Sequence, residues 1–443
     1  MASPPLSRSD ALLSDRLAHR IPPMIHRPTP LFLLALVCVL HSLALKANEP
    51  RWWKGNLHTH SLWSDGDDFP EMIADWYSSQ EYHFLSFTEH NTLQENERWI
   101  PARAASVMSA YLDRFGADWV QLRKVDAEGE TRDEVRLKPL NEYRSLFEAP
   151  DSFLLIQAEE ITGRYLTAPV HVNATNLRDQ IPAPYGTSVI DVMQKAIDAV
   201  AAQRAETGRP MFAHINHPNF GWAITAEELM GLRGGQFFEV YNGHPAVHND
   251  GDQVHASTER IWDIILTWRL AKLGLPPMFG IATDDSHNYH ELAPNRSNTG
   301  RGWVQVRAPH LTAEHIVLAM EAGDFYASSG VTLESFQVED SAYHVAVAPE
   351  PGATYRIRFI GTRTGFDDSN TKITTTGGEA LRITHRYSEE VGELFQETEG
   401  TEARYRFRGD ELYVRAEVVS SAPMARPTEE STPNKAWLPP VAP

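Results

Sequence analysis

Asn56-Leu57-His58-Thr59-His60-Ser61-Leu62-Trp63-Ser64-Asp65-Gly66 is the stretch on which the reading of this chain turns. Trp52, Trp53 and Leu57 lead into two histidines one residue apart, and on an extended strand such residues face the same way because side chains alternate with period two. Two imidazoles on one face can grip one metal ion. The turn Ser64-Asp65-Gly66 ends the strand and leaves Asp65 where a carboxylate can reach the same site or a second one. Since 19 histidines in 443 residues give about 0.8 chance His-x-His pairs, the pair decides little until the rest of the chain is read with it.

Outward from that stretch one event recurs, an apolar strand-like run that ends in His, Asp or Glu. Phe84 to Thr88 precedes Glu89-His90-Asn91, Phe153 to Ala158 precedes Glu159-Glu160, and Met211 to Ile215 precedes Asn216-His217-Pro218. Phe237 to Gly243 ends at His244, and Met278 to Thr283 precedes Asp284-Asp285-Ser286-His287. His171 lies in Pro169-Val170-His171-Val172-Asn173. Helical spacing is clear at 69–82, 188–205, 258–273 and 313–322. With the first run and Gly302 to Arg307, the pattern predicts seven strands alternating with helices, the signature of parallel strands joined by helical crossovers. Polar residues collecting at strand C-termini favour a closed barrel, whose mouth gathers all strand ends. An open doubly wound sheet would want a Gly-rich phosphate loop after the first strand, and none is there.

The remaining segments have their own character. Leu31 to Leu45 is a 15-residue apolar core preceded by His26 and Arg27 and followed by small residues near Ala44 and Ala47, so residues 1–47 read as a leader and secretory signal peptide rather than a membrane span, with Met24 an alternative start. Cys38, the single cysteine, lies inside it, which leaves the mature chain without thiol chemistry or cysteine-ligated zinc. The net charge of −19 becomes −22 once the leader's Arg8, Arg16, Arg20, Arg27 and Lys46 are removed with Asp10 and Asp15. So acidic a surface repels nucleic acid and anionic membrane. A small anionic substrate remains compatible, because bound divalent cations invert the local field. Residues 93–152 are too long for a connector and read as an insertion with a hairpin, either a lid or a decoration. Residues 331–420 carry short alternating runs, a small antiparallel β domain, and 421–443 read as a flexible tail.

Collected in order, the strand-end residues are His58, His60, Asp65, His90, Glu160, His171, His217, Asp285 and His287, a donor set suited to two or three divalent ions of Zn, Mn or Fe. This arrangement resembles the polymerase and histidinol phosphatase (PHP) family of metal-dependent phosphoesterases. His58-Thr59-His60 with Asp65 looks like its first motif, Thr88-Glu89-His90 its second, and Glu160-Ile161-Thr162 with His171 its third. Asn216-His217-Pro218 looks like the fourth and Asp285-Ser286-His287 the fifth. The second motif usually has Asp where Glu89 stands. The resemblance implies a distorted seven-stranded (β/α) barrel over 48–330 and a trinuclear site. In that site His58, His60, Glu160 and Asp285 would hold one ion, Glu160 would bridge to a second bound by His171 and His217, and Asp65, His90 and His287 would hold a third.

The implied activity is hydrolysis of a phosphate ester by a metal-bridging hydroxide, with Asp65 or His217 shuttling the proton to the leaving group. Arg296 and Arg301, in the loop Pro294 to Gly302, either bind substrate phosphate or pair with surface carboxylates. Two alternatives stay open: a metal-dependent amidohydrolase, which would want a carbamylated Lys that no strand end supplies, and a non-enzymatic glycan- or polymer-binding module. Export to the periplasm or the extracellular space is expected. Mass spectrometry of the mature N-terminus should find cleavage between about Ala44 and Glu49; an intact Leu31 to Leu45 segment recovered from cytosol would overturn that expectation.

Overall fold

The computed structural model describes residues 49–127, 129–374, 382–428 and 432–443. The expected leader and the first half of the expected strand from Ala380 to Ile383 lie outside these. In chain order the first strands are β1 (Arg51–Asn56), β2 (Phe84–His90), β3 (Arg98–Pro101), β4 (Leu122–Ala127), β5 (Glu130–Leu137), β6 (Leu154–Tyr165) and β7 (Ala168–Thr175). They are followed by β8 (Phe212–Ile215), β9 (Phe237–Asn242), β10 (Phe279–Thr283), β11 (Trp303–Ala308), β12 (Phe325–Ser328), β13 (Leu333–Glu339) and β14 (Ala342–Val347). The last are β15 (Tyr355–Arg363), β16 (Asn370–Thr371), β17 (Arg386–Tyr387), β18 (Glu393–Glu399), β19 (Glu402–Arg406), β20 (Glu411–Pro423) and β21 (Pro433–Trp437). Helices are α1 (Pro70–Ser79), α2 (Ala105–Phe115), α3 (Leu140–Phe147), α4 (Val189–Thr207), α5 (Ala226–Met230), α6 (Thr258–Trp268) and α7 (Ala313–Glu321). None of the described helices is long and apolar enough to cross a membrane.

The fold is mixed α/β: one large sheet in the order β10-β9-β8-β7-β6-β2-β1-β11-β12-β21-β20-β15-β18, and a separate small antiparallel sheet, β13-β14-β19. From β10 to β1 the large sheet curls until its two ends meet beyond the strands, where Asp285 N–H donates to His58 O and His60 N–H donates to Ser286 O, each at 3.0 Å. Phe84, Ile156, Phe212, Phe237, Phe279 and Ile281 fill one apolar floor of this curl, and β1 approaches β2 so closely that a Cβ on Gly55 would meet the Phe84 ring at 2.2 Å. Outside, α4, α5 and α6 cover the opposite strand faces with Val192, Ala196, Leu229, Ile261 and Ile265. Ser188 caps α4 by accepting from Asp191 N–H at 3.2 Å, and Gly208 ends it in the left-handed conformation, φ 67°.

Three expectations need correction. The chain is not a run of parallel strands only: β6 and β7 pair antiparallel from Ala158↔Thr175 to Tyr165↔Ala168, and β7 and β8 are antiparallel too. The link between β6 and β7 is a tight turn at Leu166 (φ 53°), far shorter than the dozen residues a parallel crossover needs. The run Gly302 to Arg307, expected as a seventh parallel strand, forms β11, which pairs antiparallel with β1 and carries the sheet onward through β12. The tail is not loose, because β21 inserts between β12 and β20 and buries Trp437 against Tyr241, ring centroids 5.4 Å apart.

The insertion is tied to the first motif rather than floating above it. Trp63 and Phe69 share a core with Met108, Tyr111, Val120, Val135 and Leu137, Trp63 Nε1 donates to Lys138 O at 3.2 Å, and Arg98 donates to Trp63 O. The C-terminal strands are joined as firmly. Arg415 on β20, almost wholly buried, forms a bidentate pair with Asp263 on α6 at 2.7 and 2.8 Å, and Tyr413 O–H donates to the same carboxylate at 2.9 Å. Asp263→Asn leaves that buried guanidinium without its counter-charge and should cost about 3–5 kcal/mol in urea unfolding. A loss under about 1 kcal/mol would show that the pair does not brace the C-terminal strands.

Candidate metal centre

Past the end of β1 the chain stays extended, so His58 and His60 point inward together from the seam where the curled sheet meets itself. Glu160 enters from β6, directly opposite His90 of β2 in register. Its fully buried carboxylate is the hub: the facing nitrogens of His58, His60, His90, His171 and His217 lie 3.6, 3.5, 2.7, 2.9 and 3.6 Å from its oxygens. Asp285 Oδ1 stands 3.2 Å from His58 Nε2 and 3.3 Å from His60 Nε2. At the rim, Asp65 lies 3.4 Å from both His90 Nε2 and His287 Nε2 and 3.6 Å from His60 Nδ1. Donor groups that can each hold an ion are His58-His60-Glu160, His90-Glu160-His171 and His60-Asp65-His90-His287.

Hydrogen bonds behind the rings assign which nitrogen faces the centre. His58 Nδ1 donates to Glu239 Oε1 at 2.7 Å. Ser64 Oγ gives its only proton to Glu89 Oε2 at 2.5 Å, so it can only accept from His60 Nδ1 at 3.3 Å. Thr162 Oγ1 donates to Glu160 O at 3.2 Å and likewise accepts from His90 Nδ1 at 2.6 Å. His287 Nδ1 donates to Asp285 O at 2.9 Å. In His58, His60 and His287 the Nε2 lone pair is then turned towards the carboxylates, the arrangement by which outer hydrogen bonds prepare a histidine to bind metal, whereas His90 meets carboxylates with both nitrogens, Nδ1 at Glu160 and Nε2 at Asp65.

Whether the donors fit divalent ions is tested by what they lack. His58 Nε2, His60 Nε2 and His171 Nδ1 are buried and have no hydrogen-bond partner, a costly condition that a cation among them removes. Bonds of about 2.1 Å to one ion set neighbouring donors about 3.0 to 3.4 Å apart, close to the 3.2 to 3.6 Å separations at His58 and His60. Charge has the same form. Burial opposes ionisation at Glu160 and Asp285, yet surrounding imidazoles hold both well below the usual carboxylate range. Burial likewise opposes protonation of His90, but Glu160 and Asp65 raise it to about 11, whereas burial and the neighbouring His287 push His60 down to about 3. Without cations, protons hold the negative charge in place; cations displace them.

The backbone is strained where it presents these groups. His217 and Asp285 both have positive φ, 24° and 49°, a cost that non-glycine residues bear chiefly at functional sites. The neighbouring carboxylates are engaged elsewhere. Asp284 accepts from Tyr77 O–H, Asn56 Nδ2 and the amides of Gly300, Arg301 and Gly302. Glu159, on the opposite face of β6 from Glu160, accepts from Ile181 N–H at 2.7 Å and is raised by burial to about 8.

The structure brings His58, His60, Asp65, His90, Glu160, His171, His217, Asp285 and His287 together, but it does not bring in the two arginines. Arg301 is buried, and its guanidinium donates to the carbonyls of Gly243, Ala293, Pro294, Arg296 and Arg426. That donor set is spent on the loop, which corrects its expected role in substrate binding. Arg296 is exposed and paired with Glu291 at 2.7 Å, the alternative the sequence had left open. Glu239 went unassigned in the sequence. It takes His58 Nδ1, His217 N–H and Thr283 Oγ1, each at 2.7 Å, and Asn242 Nδ2 at 2.8 Å. Its signal was a lone carboxylate in the apolar run Phe237-Phe238-Glu239-Val240-Tyr241.

Glu160→Gln should lose more bound metal than Glu159→Gln by elemental analysis, since Glu160 serves several donor groups and Glu159 faces away and accepts from Ile181 N–H. Equal metal content in the two variants would overturn the choice of hub.

No family model and no curated protein matches this chain. Among solved structures, it is similar to a two-domain protein from Bacteroides vulgatus described as containing a predicted PHP-like metal-dependent phosphoesterase, at 15% identity over 88% of this chain and 95% of that one, with a TM-score of 0.39.

Proposed function

We propose that this chain is an exported metal-dependent hydrolase of phosphate esters. We read the curled run of seven strands from β10 to β1 as a closed PHP-type barrel whose mouth holds two or three ions of Zn, Mn or Fe. One observation carries the reading: three imidazoles, His58, His60 and His287, whose Nδ1 atoms are engaged from behind turn their Nε2 atoms onto the buried carboxylates of Glu160 and Asp285 and the half-exposed one of Asp65. A mixed nitrogen and oxygen set of this kind suits those metals. Export rests on the Leu31 to Leu45 segment alone.

Divalent ions, when bound, activate water at neutral pH and neutralise charge on phosphoryl oxygens. The side chains do the rest. His58, His60, Glu160 and Asp285 would hold the innermost ion, His171 and His217 a second with Glu160, and His90, His287 and Asp65 the outermost. Asp65 has a side chain 54% exposed, is kept ionised by His287 and His90 despite partial burial, and stands at the mouth as the first candidate for carrying a proton to the leaving oxygen. His217, positioned through its backbone by Glu239, is the second candidate for carrying a proton to the leaving oxygen.

Turnover of a panel of phosphate mono- and diesters by the purified, metal-analysed protein tests this. Hydrolysis should fall to background on chelation and return on reloading with Zn, Mn or Fe. Metal-dependent cleavage of amides without any phosphate ester would move the assignment to an amidohydrolase, and metal binding with no turnover at all would move it to a binding module.

A further inference from the structure

Period-two alternation along β6 puts Glu160, Thr162 and Arg164 on one face. Glu160 is the hub of the cluster, Thr162 holds His90 at 2.6 Å, and Arg164 stands four residues beyond Glu160, about 13 Å along the strand. Across the hairpin His171 pairs with Thr162 and Pro169 with Arg164. The face is therefore a track leading from the cluster to the turn. Beside it lies a cleft of about 500 Å³ that runs from His171 and Asn91 past Thr162 to Arg164 and Tyr185.

The charge of this cleft is opposite to that of the chain. With 59 acidic residues against 40 basic ones, arginines here are commonly paired, as Arg114, Arg136, Arg178 and Arg296 are. No carboxylate lines the cleft among the described residues, and the exposed Arg164 guanidinium has no ion-pair or hydrogen-bond partner among them. Tyr185, 94% exposed, offers an uncovered ring at the rim. A free guanidinium presents paired donors that match carboxylate or phosphate oxygens, and an exposed aromatic ring offers a flat apolar surface.

Resting on the hydrolase reading, we propose that this cleft is the leaving-group subsite. With the scissile phosphate at the cluster, Arg164 binds a second anionic group, carboxylate or phosphate, carried by the organic part of the ester, while Tyr185 covers that part's planar face. The preferred substrates are thus esters with two anionic ends.

The test compares phenyl phosphate, 4-carboxyphenyl phosphate and 1,4-phenylene bisphosphate with the metal-loaded wild type, Arg164→Ala and Arg164→Lys, metal content being checked in each. Wild type should favour a doubly anionic ester over phenyl phosphate by tenfold or more in kcat/KM, and the better of the two names the second group. Arg164→Ala should bring that ratio close to one, with Arg164→Lys between. A ratio unchanged in Arg164→Ala, or no preference in wild type, overturns the subsite. If no ester is turned over, the hydrolase reading has failed, and calorimetric binding of 4-carboxybenzylphosphonate judges the cleft by itself. Binding at least tenfold weaker in Arg164→Ala sustains it; equal affinity, or no binding to wild type, ends it.

Discussion

Glu160 is a carboxylate with almost no exposed surface, ringed by nitrogens of five histidines within 3.6 Å, and the architecture around it follows from satisfying that charge. A buried anion without compensation is costly, so the ends of β1 and β2, the middles of β6 and β7 and the segment after β8 must all come to one point. The sheet must curl for them to do so. Below that point the floor is apolar and packed with Phe84, Phe212, Phe237 and Phe279, a low-dielectric base that strengthens the electrostatic contacts above it. Behind it, Glu239 and Glu89 each hold one histidine of the first motif, one directly and one through Ser64, so the two imidazoles are aimed by different means from opposite sides.

What could be read from the sequence and what could not divide along physical lines. The strand-end residues from His58 to His287 were legible because an ionisable group terminating an apolar run is a break in pattern that hydrophobic periodicity makes visible. Strand direction was not: Leu154–Tyr165 and Ala168–Thr175 form a hairpin through a turn at Leu166, which carries none of the glycine, asparagine or aspartate that usually marks one. Charge without burial also misleads. Arg301 in a polar loop looks the same as a substrate-binding arginine until its contacts are seen, and it proves to be the internal brace of that loop. Arg164 is the converse case, an arginine two residues past Thr162 to which the sequence reading gave no role and which alternation along β6 carries to the face of Glu160.

The segments outside the curl gain their meaning from what they hold still. The insertion from Leu93 to Ser152 puts its core around Trp63 and Phe69, on either side of Asp65, and so steadies the part of the centre nearest to solvent. The C-terminal strands are continuous with the same sheet through β12 and β21, and Asp263 with Arg415 ties them to a helix on its outside. Neither behaves as an appendage, and motion in either would be felt at the mouth.

The two backbone hydrogen bonds that close the curled sheet are made by Asp285 N–H to His58 O and by His60 N–H to Ser286 O, so three of the residues that fasten the seam also offer their side chains to the centre. With an ion at the proposed site, making the seam and binding the ion would be one equilibrium seen from two sides. An ion held jointly by His58, His60 and Asp285 would act as a clasp, because it would bind the arrangement in which the seam is made and stabilise it by its own affinity. On the proposed reading the chain would complete its tertiary structure when it meets its metal, and its resistance to unfolding and to proteolysis would report on the metal supply of the compartment in which it folds.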